Sequence, residues 1–468
     1  MEPSVSVKIP AEGIINLTPI ERQLFDELLR VVEVTHCNTV LRVAGGWVRD
    51  KILGLHSDDI DIALDNMMGE DFANLIKQHI HQSSSIGKIK ANSEASKHLE
   101  TACVRIMGLE LDIVNLRSED YTEVSRIPSI RIGTPEEDAF RRDLTINSMF
   151  YNLHENVIED YTRRGMQDLQ NKIARTPLPH FQTFLDDPLR ILRTVRFAAR
   201  FNLEIDPEIE QSVRDDSIIT ALNTKVSRER ISKEYTLMVR GKNPHLALEI
   251  LHSYNLLPII FKVPSPFESQ HEAGYELART LKQDQDDLNY YSYTTAMLTP
   301  YKNANHYKVE RKKGHFIPLY EYVLLESLKF SNADTKIICN VLAWIDRTLE
   351  ILENFDVIEA AYMIKENKEF CTMVIEIAAH IKAKSIDQDL VVEAVEKVHK
   401  QIHDNRLGEF WKEKPLLTGA DAKKYFRVNG VEIGKLLEDV LKWQILNRNG
   451  SKEEVIEVLK LSYEFISD

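Results

Sequence analysis

Two aspartates one residue apart, Asp59 and Asp61 in SDDIDIA, constrain this chain more than any other feature. On a β-strand alternate side chains share a face, so these carboxylates project together while Asp58 and Ile60 turn elsewhere. Side by side they repel, unless hard cations such as Mg²⁺ sit between them on oxygen ligands. Just upstream, VAGGWVRD reads as a strand that ends in a glycine turn and enters a helix. The Gly45-Gly46 turn offers backbone N–H groups where a triphosphate could lie. Arg49, one turn into the helix, is placed to meet phosphate oxygens. A lone D-x-D is commonly a solvated strand end, and a lone Gly-Gly a tight turn. In this order and spacing the two point to metal-dependent nucleotidyl transfer.

Such a site needs a third carboxylate on a neighbouring strand. Asp112 in LELDIVNLR fits, and Glu110, on the same face two residues earlier, is the alternative. Asp59, Asp61 and Asp112 would then hold two Mg²⁺ ions and a triphosphate while a 3′-hydroxyl attacks and pyrophosphate leaves.

A second block is GTPEEDAFRRDLTINSMF. Thr134, Pro135 and Glu137 read as a helix start, with N-cap, first-turn proline and capping-box glutamate. Glu137 with Arg141, and Asp138 with Arg142, have the spacing of helix ion pairs. Asp143 and Asn147 follow one helical turn apart. An Asp and an Asn on one face suit ribose hydroxyls, and the arginines suit phosphates.

The third block is FLDDPLRILRTVRFAARF. Ile191, Leu192, Val195, Ala198 and Ala199 share one helix face. Arg190, Arg193, Arg196 and Arg200 share the other, which reads as a surface for phosphate or base contact. Asp187 before Pro188 is a natural N-cap. It is also an i,i+3 neighbour of Arg190, so the pair offers an acceptor and a donor side by side. Cytosine and adenine each present an exocyclic amine beside a ring nitrogen acceptor; uracil and guanine present a carbonyl beside an N–H. The pair therefore complements CTP and ATP and opposes UTP and GTP, whose polar groups would be left unpaired.

Along the chain, Thr18 to Glu33 reads as a helix, NTVLRVAGG as a strand, WVRDKILGL as a helix, DDIDIAL as a strand, and HLETACVRIMGLELDIVNLR as a β-hairpin. Beyond about residue 175 strand signals fade and apolar residues recur every three to four positions. The fold class is thus α+β: a small mixed sheet with helices, then an all-helical remainder, with candidate boundaries at 262–316 and 405–417. The 468 residues leave room for several domains. The net charge of −14 argues against wholesale nucleic-acid binding but not against a local basic surface. No window approaches the length of an apolar membrane span, and the N-terminus has the look of neither a signal nor a transit peptide. Cys37, Cys103, Cys339 and Cys371 are far apart, without metal-like pairing, and fit a reducing compartment.

The three blocks resemble the class II tRNA nucleotidyltransferases, the CCA-adding enzymes, most closely the eukaryotic type. GGWVRD with DDID is similar to that family's metal-binding motif, RRDLTIN to its ribose motif, DYTRRGMQDL to its hinge, and DDPLR to its nucleotide-reading motif. The last is usually E-D-x-x-R; Asp186 stands where the family has Glu. VSRERI resembles the motif that steadies the neck, and LLTGADAKKYFRVNGVEIGKLLEDVLKWQ the tail.

The resemblance implies a polymerase-β-like head over 1–170, a helical neck over 171–260, a body over 261–405 and a tRNA-binding tail over 406–468. It implies stepwise addition of C, C and A to tRNA without a nucleic-acid template, with Asp187 and Arg190 reading CTP and ATP. Gly45, Gly46, Arg49, Arg142, Asp143, Asn147 and Arg193 would complete the nucleotide site. Arg196, Arg200, Lys308, Arg311, Lys312 and Lys313, interleaved with Tyr301 and Tyr307, and Lys423 and Lys424 in the tail, are candidate tRNA contacts. The 118–137 stretch corresponds to the family's flexible segment, linked to switching from C to A. His403-Asp404 reads as a surface helix end. A monomer in the cytosol or nucleus is expected, with no membrane partner, and a mitochondrial form stays open. The alternatives are a specialised CC-adding or A-adding enzyme, a poly(A) polymerase, and a non-catalytic tRNA-binding protein.

Overall fold

A computed structural model describes residues 6–80, 102–122, 125–281, 288–302, 308–383 and 388–466. Tyr307, and residues 123 and 124 within the 118–137 stretch, lie outside them. The chain divides into two compact units, Met1–Tyr254 and Asn255–Asp468.

The first unit opens with strand β1 (Val7–Pro10) and helix α1 (Pro19–Thr35). Thr18 and Glu21 form a reciprocal capping box, Pro19 opens the first turn, and His36 ends the helix in the left-handed region. Leu24, Phe25, Leu28, Val31 and Val32 bury one face of α1. Glu21 also reaches across to α2 (Gly46–Ile52), accepting from Lys51 Nζ at 2.7 Å and Trp47 Nε1 at 3.2 Å. That buried pairing pins the glycine turn's helix to α1.

The remaining head elements are β2 (Arg42–Ala44), β3 (Ile60–Leu64), α3 (Gly69–His79), β4 (Ala102–Ile106), β5 (Leu109–Asn115), β6 (Arg117–Thr122), β7 (Ser125–Ile132), α4 (Pro135–Phe140), β8 (Phe150–Asn152), β9 (Val157–Asp160) and α5 (Gly165–Gln170). The described residues form a seven-stranded mixed sheet in the order β1-β9-β8-β2-β3-β5-β4. β3 and β5 run parallel, with Asp61 registered beside Asp112. The other pairs in this sheet are antiparallel. β4 and β5 are the expected hairpin, closed by Met107 and Gly108, both at positive φ (52° and 84°).

Helices follow: α6 (His180–Asp186), α7 (Leu189–Phe201), α8 (Pro207–Val213), α9 (Asp216–Lys225), α10 (Arg228–Val239) and α11 (Pro244–Ser253). Phe197, Ala198 and Leu203 join the same buried cluster as the sheet residues Val43, Ile62 and Ile113, so α7 is anchored on the head's core. A short parallel pair, β10 (Ile173–Ala174) with β11 (Glu204–Ile205), adds strand where only helix was expected.

The second unit is mostly helical, with long helices at Asn332–Glu353 and Gln388–Asp404. It corrects the all-helical expectation once more. The basic segment forms an antiparallel hairpin, β12 (Lys308–Lys312) with β13 (His315–Pro318), turned at Gly314. The C-terminal part of this unit has its own buried cluster, including Leu417, Phe426, Leu436, Val440 and Val455. All four cysteines are free.

Candidate active site

Asp59, Asp61 and Asp112 come together because β3 and β5 are parallel neighbours in register. Each offers a carboxylate oxygen, and these oxygens all lie within 4.8 Å of one another. Asp59 is exposed just before β3, while Asp61 and Asp112 are half-buried. Glu110 is exposed and stands outside the cluster, which Asp112 joins. Burial, and then the Asp59 charge, push the Asp61 carboxyl up to about 6; Arg142 and Arg117 oppose the shift. Three hard oxygen donors so close, with one resisting ionisation, fit divalent cations.

The glycine turn differs from expectation in one respect. The Gly45 N–H donates to Met149 O at 3.0 Å, so it does not point outward to a ligand. The first-turn amides of α2, from Gly46 onward, are those the helix leaves unused. Gly45 itself sits at φ +65°, and a Cβ there would press on the Arg142 guanidinium and come within 3.2 Å of Asn147 O.

Arg49 is buried, at 3 % exposure. It donates to Asp50 Oδ1 at 2.9 Å and to Asn147 Oδ1, and lies over the rings of Phe197 and Phe201 at 5.0 and 4.5 Å. Burial lowers its pKa against the pull of Asp50. In this arrangement it braces Asn147.

Asp143 and Asn147 do not lie on a continuous helix. α4 ends at Phe140, and Asn147 closes a 3₁₀ turn from Thr145. The turn still joins them: Asn147 Nδ2 donates to Asp143 Oδ1 at 2.9 Å. Burial alone would raise Asp143, but the Arg193 guanidinium and hydrogen bonds from Asn147, Arg193 and the Leu144 N–H hold it down to about 2. Asp138 pairs with Arg142 at 2.8 Å as expected, and also takes Arg141 at 2.5 Å. Glu137 pairs instead with Arg131, at 2.6 Å, because β7 delivers that arginine beside the helix cap.

The arginines of α7 do not form one solvent-facing stripe. Arg190 is 6 % exposed and donates to Thr183 O at 3.3 Å and Arg141 O at 2.6 Å. Arg193 donates to Asp143 Oδ2 at 2.7 Å, and Arg196 to Glu234 Oε2 at 2.6 Å. Arg200 lies 3.6 Å from Asp50. The face is charge-compensated because α4–β8, α2 and α10 pack against it. Asp187 accepts from the Leu189 N–H at 3.2 Å and from Arg230 Nη2 at 2.9 Å. Arg230 belongs to the VSRERI segment, which the resemblance assigned to steadying the neck without naming a partner for it, and Glu234 of α10 escaped sequence reading; their i,i+4 spacing reads equally as a solvated helix face.

In the second unit, Lys308, Arg311, Lys312 and Lys313 are exposed, with Arg311 3.4 Å from Glu326. Tyr301 is buried, so it is no stacking platform. Lys423 and Lys424 are exposed on the helix Gly419–Tyr425. His403 and Asp404 are exposed at a helix end, as expected.

A mixed sheet that presents such an acidic cluster beside a glycine turn defines a nucleotidyltransferase of the polymerase-β-like kind. The Poly A polymerase head domain family matches residues 41–175, and the probable RNA and SrmB-binding site of polymerase A matches 202–267. The mitochondrial CCA tRNA nucleotidyltransferase of Saccharomyces cerevisiae is 34 % identical over 90 % of this chain and 87 % of its own. The tRNA nucleotidyltransferase cca2 of Schizosaccharomyces pombe is 33 % identical over 90 % of this chain and 92 % of its own. In fold, the Thermotoga maritima CCA-adding enzyme, solved with tRNA, superposes over 97 % of this chain and 99 % of its own at TM-score 0.65 and 20 % identity. The chain belongs to the class II tRNA nucleotidyltransferases, the CCA-adding enzyme family.

Proposed function

We propose that this enzyme adds C, C and A stepwise to the 3′ end of tRNA from CTP and ATP, without a nucleic-acid template. The observation that supports it most directly is the acidic cluster of Asp59, Asp61 and Asp112 within a chain of this family. Those residues would hold Mg²⁺, which when bound supplies charge neutralisation to the triphosphate and acidity to the attacking hydroxyl. The first-turn amides of α2 and Arg142, whose side chain is largely buried against Asp138 near Asp61, would meet phosphate oxygens. Asp143 and Asn147, braced by Arg193 and Arg49, would orient the ribose. Asp187 and Arg190, just before and within α7, would read the base edge, rejecting UTP and GTP by unpaired polar groups.

The chain would divide into head, neck, body and tail at about 170, 260 and 405. The exposed lysines of β12–β13 and of the tail helix would bind tRNA phosphates. The described residues contain no helix long and apolar enough to cross a membrane. Cytosol or nucleus is the proposed location, and a mitochondrial form agrees with the compartment named for the yeast relative.

The test uses purified protein, Mg²⁺ and tRNA transcripts ending before the CCA, at C and at CC, each given CTP, ATP or both. Completion of all three to CCA supports full CCA addition. Arrest at CC identifies a CC-adding enzyme, and extension of the CC-ended transcript alone an A-adding one. Long A tracts would identify a poly(A) polymerase, and no extension a non-catalytic binder.

A further inference from the structure

We propose that Arg230 is a positioning residue that sets the nucleotide selectivity of Asp187; the inference rests on the base-reading role given to Asp187 above. Arg230 lies on α10, forty-three residues from Asp187, and donates through Nη2 to Asp187 Oδ2 at 2.9 Å. The Leu189 N–H holds Oδ1 at 3.2 Å. The carboxylate is thus pinned at both oxygens, one bond to each.

An ionised carboxylate has about four acceptor sites. Two are occupied here, so one lone pair on each oxygen remains for a ligand. Pinning also removes rotation about the Cβ–Cγ bond. A freely rotating carboxylate accepts an N–H from several directions, including the ring N–H of uracil or guanine. A fixed one accepts only where the exocyclic amine of cytosine or adenine arrives. Selectivity then depends on the clamp as much as on the aspartate.

The same helix braces the next charges along α7. Glu234, one turn after Arg230 and 4 % exposed, accepts from Arg196 at 2.6 Å and lies 3.8 Å from Arg193, which in turn holds Asp143 at 2.7 Å. Arg230 is 46 % exposed at its side chain, so its removal opens no core cavity.

The experiment measures kcat and KM for CTP, ATP, UTP and GTP singly on a tRNA transcript ending before the CCA and on one ending at CC. The proteins are wild type, Asp187→Ala, Arg230→Ala, Arg230→Lys and the Asp187→Ala/Arg230→Ala double variant. Arg230→Ala is expected to lower the kcat/KM preference for CTP over UTP by about tenfold, chiefly by raising KM for CTP. Arg230→Lys, which keeps charge but not the planar fork, recovers part of it. The double variant is no less selective than Asp187→Ala alone. Wild-type selectivity in Arg230→Ala, with selectivity lost in Asp187→Ala, overturns the clamp and leaves the aspartate's role standing. Unchanged selectivity in Asp187→Ala overturns the base-reading role itself. Additive losses in the double variant show Arg230 acting apart from Asp187 and likewise overturn the clamp. Near-ultraviolet circular dichroism checks the fold of each protein; if Arg230→Ala is unfolded, the Arg230→Lys ratio decides, and a wild-type value there overturns the proposal.

Discussion

Asp143 and Arg193, fifty residues apart in the chain, meet with Nε 2.7 Å from Oδ2 and a second nitrogen also at 2.7 Å. This two-pronged pair joins the turn after α4 to α7, and so ties Asp143 and Asn147 to the helix that carries Arg190. Because Asp143 is buried and Arg193 half-buried, the pair is a structural joint whose loss would loosen two parts of the site together.

That joint predicts a pH dependence. Asp143 is held down to about 2 in the folded protein, below the ordinary aspartate value of about 3.9 in an unfolded chain. A depressed folded value means stability that is fully present above the unfolded pKa and is lost as pH falls through the folded one. The contribution is on the order of 2 kcal/mol. Asp143→Asn is therefore expected to melt below wild type at pH 7, with the gap narrowing as pH falls from about 5 towards 2. A gap that stays constant across that window would falsify the pairing's role.

Asp59→Ala or Asp61→Ala is expected to abolish nucleotide incorporation, by a thousandfold or more on the order of other metal-site losses, while tRNA affinity stays near wild type. Chelation of divalent ions should do the same to the unaltered enzyme, and Mg²⁺ should restore it. Single-turnover incorporation and a filter-binding titration test this; near-normal incorporation by either variant rejects the assignment.

Gly45 is predicted to resist substitution. Its positive φ and the guanidinium of Arg142 leave a Cβ strained and crowded, at a cost of about 1–3 kcal/mol. Gly54, also at positive φ (+68°) but with nothing within 4 Å, serves as the comparison. Gly45→Ala should lower both melting temperature and kcat/KM, and Gly54→Ala should cost melting temperature alone. Equal effects on turnover would remove the special place of Gly45.

Replacing Lys312 and Lys313 on the β12–β13 hairpin by alanine should weaken tRNA binding and flatten its dependence on salt by about one to two units of the log–log slope. Both side chains are exposed, so folding should be preserved. An unaltered slope would take this hairpin off the tRNA surface.

The local order of the chain determined a good part of this protein. Thr134 caps its helix as read, and the helix read from Thr18 begins there, because a cap involves only neighbours within three residues. Asp59 and Asp61 share a face because strand side chains alternate. The apolar face of α7 is buried as its spacing dictates. The family's motifs could be recognised because they too are short and contiguous.

What the tertiary structure decided lies between segments. Asp112, and not Glu110, lies with Asp59 and Asp61 through the parallel register of β3 and β5. Arg190 is buried and Arg196 compensated because α6 and α10 pack on α7, and no periodicity in DDPLRILRTVRF carries that. The hydrogen bond of the Gly45 N–H to Met149 joins residues about a hundred positions apart, and that of Arg230 to Asp187 residues forty-three apart. Spacing reports which side chains share a face; which partner that face meets depends on how the elements pack, and packing is set by the whole core at once.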